Sequence, residues 1–179
     1  MDAPDSLASR LCTQCGLCCD GSLFADVRLQ RGDDPDSLRA AGLRLWRITA
    51  AGKALLRFPQ PCAAFDGCHC SVYPDRPRYC REFECGVFKE VARGTRSLAD
   101  AQRAVRAARR RVDAVRRLLR KLGEENETSP LGVRFRRVKR RAEAGKIEAG
   151  GVATFAELSL AYHRLTVMLS EEFYPAGGC

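Results

Sequence analysis

From Leu98 to Leu122 apolar residues recur at steps of three and four: Leu98, Ala101, Val105, Ala108, Val112, Val115, Leu119 and Leu122. A stripe of that length predicts an α-helix with one narrow buried seam. Ser97-Leu-Ala-Asp100 resembles a capping box at its start, and Gly123 closes it as a C-terminal cap. A second stripe, Phe155, Leu158, Tyr162, Leu165 and Leu169, goes with another capping-box pattern at Thr154-Phe-Ala-Glu157. Two helices with such seams pack most simply as an antiparallel pair, although a seam of this kind can also serve a homodimer. Between them Ser129-Pro130 starts a basic helix with Leu131, Phe135, Val138 and Ala142 inward, and Gly145 and Gly150-Gly151 form a loose connection.

The N-terminal half follows a shorter period. Val27 and Leu29 alternate within residues 22–29 and predict a strand. Arg31-Gly-Asp-Asp-Pro35 is a turn, after which Asp36 or Ser37 caps a short helix ending near Gly42. Leu43–Ile48 alternates apolar and basic residues, and Ala54–Phe58 is its hairpin partner across Ala51-Gly52. Pro77 suits the first turn of a helix that includes Cys80 and extends toward Val91. The expected architecture is α+β. A small irregular cysteine-rich metal-binding domain with short strands spans residues 1–92, and a basic α-helical hairpin or bundle spans 93–179.

Charge divides along the same line. The net charge is +9, yet residues 93–146 carry 18 Lys and Arg against 6 Asp and Glu, so the remainder is slightly acidic. Such a basic stretch either keeps a helical face solvated or meets an anionic partner, an acidic protein or a nucleic acid. Arg134, Arg136, Arg137, Arg140 and Arg141 are the densest part, but Phe135 is the only aromatic among them for stacking on bases. Met1–Arg10 has no apolar run, and no stretch approaches the roughly 20 apolar residues of a membrane span. The expected address is the cytoplasm, where clustered thiols stay reduced and usually serve metal or redox chemistry.

Nine of the ten cysteines fall between Cys12 and Cys85. They form one group, Cys12-Thr-Gln-Cys15-Gly-Leu-Cys18-Cys19, and a looser second group, Cys62, Cys68, Cys70, Cys80 and Cys85. C-x2-C lets one turn of backbone present two thiolates to a soft metal ion, and Gly16 supplies the permissive φ of such a knuckle. Cys18 and Cys19 are adjacent, so their side chains diverge. His69 lies between Cys68 and Cys70 and is either a nitrogen ligand or an exposed side chain; Cys179 is a tail thiol. Nine thiols suffice for two four-coordinate zinc sites with one left over. C-x2-C-x2-C also supplies three ligands at the spacing of a [4Fe–4S] cluster. The usual fourth cysteine stands three residues further on and precedes proline, whereas here Cys19 follows at once, and zinc is therefore preferred to iron. Arg76, Arg78 and Arg81 around Cys80 are placed to offset the negative charge of a thiolate site.

The set C-x2-C-x2-C-C, then Pro61-Cys62-x-x-Phe65, then Cys70-Ser-Val-Tyr73-x-x-Arg76-Pro77-x-x-Cys80-Arg81-x-Phe83-x-Cys85, resembles the cysteine-cluster family, which is described as zinc- or iron-chelating. The resemblance covers roughly residues 12–85. It implies Cys12, Cys15, Cys18, Cys19, Cys62, Cys70, Cys80 and Cys85 as metal ligands, while Cys68 matches no family position. The same pattern is similar to that of the flagellin lysine N-methylases, which would imply an iron–sulfur cluster and methyl transfer. Three functions are compatible with these residues. The first is a non-enzymatic metal-binding protein whose basic helices contact a partner. The second is an iron–sulfur-dependent methyl-transfer or redox enzyme, and the third is a nucleic-acid binder. Against an enzyme stand the lack of a glycine-rich cofactor loop or a Ser/His/Asp set, and the presence of only two histidines.

Overall fold

The computed structural model describes residues 7–50, 52–67 and 69–174. In chain order the elements are α1 (Leu7–Cys15), β1 (Asp26–Arg28), α2 (Pro35–Ala40), β2 (Trp46–Ala50), β3 (Lys53–Pro59), α3 (Arg78–Glu82), α4 (Gly86–Ala92), α5 (Leu98–Lys121), α6 (Leu131–Glu143) and α7 (Gly151–Glu172). The architecture is α+β. Residues 12–83 with 128–130 form one compact unit; residues 84–127 and 131–174, with 7–11, form the other.

The first unit is built on a three-stranded antiparallel sheet in the order β1-β3-β2. Ala50 pairs with Lys53, so β2 and β3 form the expected hairpin, and Gly52 adopts φ +72 between them, while Ala51 of the expected turn lies outside the described residues. Val27 pairs with Phe58, and both are buried with Leu38, Leu43, Cys62 and Ala64. Two expectations shift by a few residues. α2 is capped by Asp34, whose carboxylate accepts from the Asp36 and Ser37 N–H groups at 2.9 and 3.2 Å, because Pro35 takes the first helical position. β2 begins at Trp46 rather than Leu43, since the Leu43 N–H bonds back to the Leu38 carbonyl at 3.0 Å and its side chain is buried.

The helix expected from Pro77 to Val91 is two helices. Pro77 is the N-cap of α3, and the chain becomes extended at Phe83 (ψ 120) and Cys85 (ψ 167) before α4 starts. The break follows from packing: the Phe83 ring sits edge-on to Phe24 at 4.8 Å and stacks on Tyr79, a position that helical continuation would forfeit.

In the second unit the long stripe is the seam. Ala101, Val105, Ala108, Val112, Val115, Leu119 and Leu122 are all buried. Ser97 Oγ caps α5 by accepting from the Asp100 N–H at 3.1 Å, and Gly123 follows at φ +71. α5 packs most extensively on α7, and the two run antiparallel. Arg96, just before α5, pairs with Glu172 at the end of α7, while Gly151 at the start of α7 lies beside Leu122. α7 starts at Gly151, so the Thr154-Glu157 pattern falls inside the helix and does not cap it. A turn bonding the Gly151 N–H to the Glu148 carbonyl at 2.7 Å leads straight in, and a Cβ at 151 would come within 2.5 Å of Ile147.

α6 buries Leu131 and Val138 as expected, and also Arg134, which is 2% exposed. Arg134 donates to the Glu124 carbonyl at 2.7 Å, and the Glu124 carboxylate lies 4.0 Å from it and 3.5 Å from Arg137. Arg141 donates to the Leu122 carbonyl at 2.7 Å. The basic run of α6 is thus partly spent on tying this helix to the end of α5. No helix among the described residues is long and apolar enough to cross a membrane.

Candidate metal centre

α1 carries Cys12 and Cys15 one turn apart, and Gly16 ends it at φ +72. The Gly16 carbonyl then accepts the N–H groups of both Cys19 and Asp20 at 2.9 Å, winding a tight turn through Cys18 and Cys19. A Cβ on Gly16 would stand 2.5 Å from the Phe65 ring, so the glycine serves close approach as well as backbone conformation.

The second cysteine group is fastened onto this turn. The Cys62 N–H donates to the Cys19 carbonyl at 2.8 Å, and the Phe65 N–H closes a turn on the Cys62 carbonyl. Phe65 and Cys70 form an isolated antiparallel bridge, which brings Cys70 back toward Cys62. Arg76-Pro77 sets the start of α3 and with it Cys80. The Arg76 Nε donates to the Tyr73 carbonyl at 2.9 Å, and its guanidinium lies 3.5 Å over the Tyr73 ring.

These connections gather Cys12, Cys18, Cys19, Cys62, Cys70 and Cys80 around a single cavity of about 70 Å³. Its remaining walls are mostly apolar or aromatic, with Phe24, Val27, Phe58, Tyr79 and Phe83 among them, and Arg76 is the one cationic side chain there among the described residues. Burial raises the thiols of Cys12, Cys19, Cys62 and Cys80. Cys80 is pushed up to about 12, chiefly by desolvation and then by Cys62 and Cys70. Cys19 is raised further, by burial and then by Cys62, Cys80, Cys70 and Cys12. Cys12 is open to solvent over much of its residue surface, yet it lines the cavity, where burial lifts its thiol and Arg76 partly offsets the lift.

Of the eight expected ligands, Cys15 and Cys85 do not line this cavity. Cys15 ends α1, and Cys85 belongs to the other compact unit, where its sulfur caps α4 by accepting from the Phe88 N–H at 3.4 Å. Cys68 and Cys179 lie outside the described residues. His69 is exposed and faces Asp66, and it does not line the cavity. Of the three arginines expected to offset charge only Arg76 lines the cavity; Arg78 pairs with Glu82, and Arg81 is exposed. The structure adds Gln60, which the sequence reading missed. It is 1% exposed, lines the same cavity, and its Oε1 has no hydrogen-bond partner.

The donor set fits a soft metal. Among the described residues six cysteines and no Asp, Glu or His line the cavity, which disfavours calcium or magnesium and suits zinc or iron. The orphaned Gln60 oxygen is a second sign of an occupant, since a buried acceptor without a partner is costly. The volume is roughly five times what one water needs. As the side chains stand, no three His, Cys, Asp or Glu among the described residues are close enough together to hold an ion.

This arrangement is an apolar, thiol-lined cavity. The profile of the CxxCxxCC family, described as "Putative zinc- or iron-chelating domain", matches residues 11–103, and the chain belongs to that family. Comparison with curated proteins and with solved structures gave no match.

Proposed function

We propose that the chain is a zinc-binding protein in which thiolates of Cys12, Cys18, Cys19, Cys62, Cys70 and Cys80 hold metal that organises residues 12–83. The observation that carries this is the convergence of six thiols, from separate segments of chain, on one apolar cavity. Thiols in such a place stay protonated unless a cation replaces their protons. A bound metal supplies that charge and turns binding energy into folding energy. Arg76 partly neutralises the thiolates, and the aromatic walls keep water from them. The preference for zinc rests on Cys19 following Cys18 directly, where an iron–sulfur pattern would continue for three residues before a Cys-Pro pair.

The basic helices form the partner-binding half of this reading. Arg103, Arg106, Arg110, Arg117 and Lys121 are exposed along one side of α5. An acidic protein suits this face better than a nucleic acid, because stacking aromatics are scarce and Arg134 is turned inward.

The test is elemental analysis and a visible spectrum of full-length protein purified without oxygen, followed by chelation. Zinc in a colourless protein, with loss of protease resistance across residues 12–83 on chelation, is the expected result. A brown protein with iron and sulfide in about a one-to-one ratio refutes zinc and favours a cluster-dependent methyl-transfer or redox enzyme. A chelated protein that resists protease unchanged refutes the organising role.

A further inference from the structure

α7 is apolar on two opposite sides. Leu158, Leu165 and Leu169 are buried on one side, and the helix packs most extensively on α5, so this seam is used within the chain. On the other side Ala153, Ala156, Leu160, His163, Val167 and Ser170 follow one another at steps of three and four, and all six are exposed. Val152, Leu160, Val167 and Tyr174, which stands just past the helix end, are four of the five large hydrophobics exposed among the described residues. The outward side of a surface helix is ordinarily charged, as that of α5 is with Arg103, Arg106, Arg110 and Arg117. A helix with a second apolar stripe has a second partner to meet. We propose that this partner is α7 of a second copy of the chain, packed antiparallel about a two-fold axis.

The occupant and its direction follow from charge. Read in heptads, the outward stripe has Glu157, Arg164 and Glu171 along one flank and Val152, Ser159 and Thr166 along the other. A parallel pair sets each flank against the opposite flank of its partner, which leaves the three charges without a complement. An antiparallel pair sets like flank against like flank. In the register that opposes Leu160 to the partner's His163, Glu157 faces the partner's Arg164 and Arg164 faces the partner's Glu157. The same register opposes Ala156 to the partner's Val167 and Ala153 to the partner's Ser170, so small residues meet larger ones along the seam. One helix thus supplies both halves of the contact, as a two-fold interface requires. The polar His163 and Ser170 within the stripe hold that register, because any slip sets them against different neighbours.

Size sets the strength. A 22-residue helix is about 33 Å long and about 10 Å across, so the two faces together bury about 700 Å², below the roughly 1,200 Å² of a stable complex. The dimer is accordingly weak and concentration-dependent.

Sedimentation equilibrium of the full-length chain over a concentration series, kept reduced so that no disulfide joins two copies, tests the proposal. The expected result is a reversible monomer–dimer equilibrium. Leu160 is 50% exposed, so Leu160→Glu should leave the chain folded by circular dichroism and monomeric. Glu157→Arg or Arg164→Glu alone sets like charges against each other twice per dimer and should weaken association about tenfold, and the two changes together should restore it. A wild-type chain that stays monomeric at millimolar concentration overturns the proposal, whether the face then takes another protein or a lipid surface. A dimer that survives Leu160→Glu lies elsewhere and also overturns it. Association lost in Leu160→Glu but unmoved by either charge reversal overturns the antiparallel pairing. The charge reversals and their rescue decide the matter even if Leu160→Glu fails to fold.

Discussion

Replacing Gly16 with alanine strikes the point where α1 turns into the Cys18-Cys19 corner. Two costs arise there, and they can be separated. Gly16 has φ +72, a conformation that costs an L-residue about 1–2 kcal/mol. Its Cβ would also come 2.5 Å from the Phe65 ring, which must shift or strain the chain, at an overpacking cost of about 1–3 kcal/mol. The expected loss for Gly16→Ala is therefore about 2–5 kcal/mol. Gly32→Ala is the control: its φ is +94, but nothing lies within 4 Å of the added Cβ, so only the backbone cost remains, about 1–2 kcal/mol. Trp46, the only tryptophan, lies on β2 in the same compact unit, and its fluorescence during urea unfolding reports on that unit. Zinc concentration must be held fixed, because metal bound to the folded state adds to apparent stability. If the two variants unfold within about 0.5 kcal/mol of each other, the Phe65 contact does not constrain the corner and the reasoning fails.

Four further outcomes are expected. Arg76→Gln removes the only cationic side chain that lines the thiol cavity among the described residues and should weaken zinc binding, read by competition with a chromophoric chelator; unchanged affinity would exclude an electrostatic role. Burial in the folded chain pushes Cys80 up to about 12 from an ordinary 9.0, and Cys19 and Cys62 are also raised. The folded state therefore holds these protons more tightly than the unfolded state. Stability is full below pH 9 and falls as pH rises toward 12, a decline that urea titrations should find in the metal-free protein and not in the loaded one. Glu124→Ala leaves the buried Arg134 guanidinium without the carboxylate that faces it and should cost about 3 kcal/mol by far-UV circular dichroism, the low end for such a loss because the carbonyl bond survives. Exposed Glu125→Ala should cost under about 0.5 kcal/mol. Single- and double-stranded RNA and DNA should bind weakly at near-physiological salt and be insensitive to replacing Arg106, Arg110 and Arg117 with glutamine. Sub-micromolar binding whose salt slope drops by about three units in that triple variant would establish nucleic acid as the partner.

Sequence alone determined the features whose causes are local. α5 was legible from cap to cap because its heptad seam, the Ser97-Asp100 start and Gly123 act within a few residues of one another. The β2–β3 hairpin was legible because alternation and a two-residue turn fix its register without help from elsewhere. The spacing of the cysteines likewise announced metal chemistry before any fold was known. What needed the tertiary structure were choices settled between segments far apart in the chain. Residues 83–85 leave the helix because Phe83 is held by Phe24, some sixty positions earlier. Arg134 turns inward toward the Glu124 carbonyl although its neighbours mark it as part of a solvated basic face. The thiols that share a cavity were decided by the Cys62–Cys19 backbone bond and the Phe65–Cys70 bridge, not by their spacing. A pattern of residues encodes short-range propensities directly, whereas the convergence of distant side chains depends on which buried contacts the whole chain can satisfy at once.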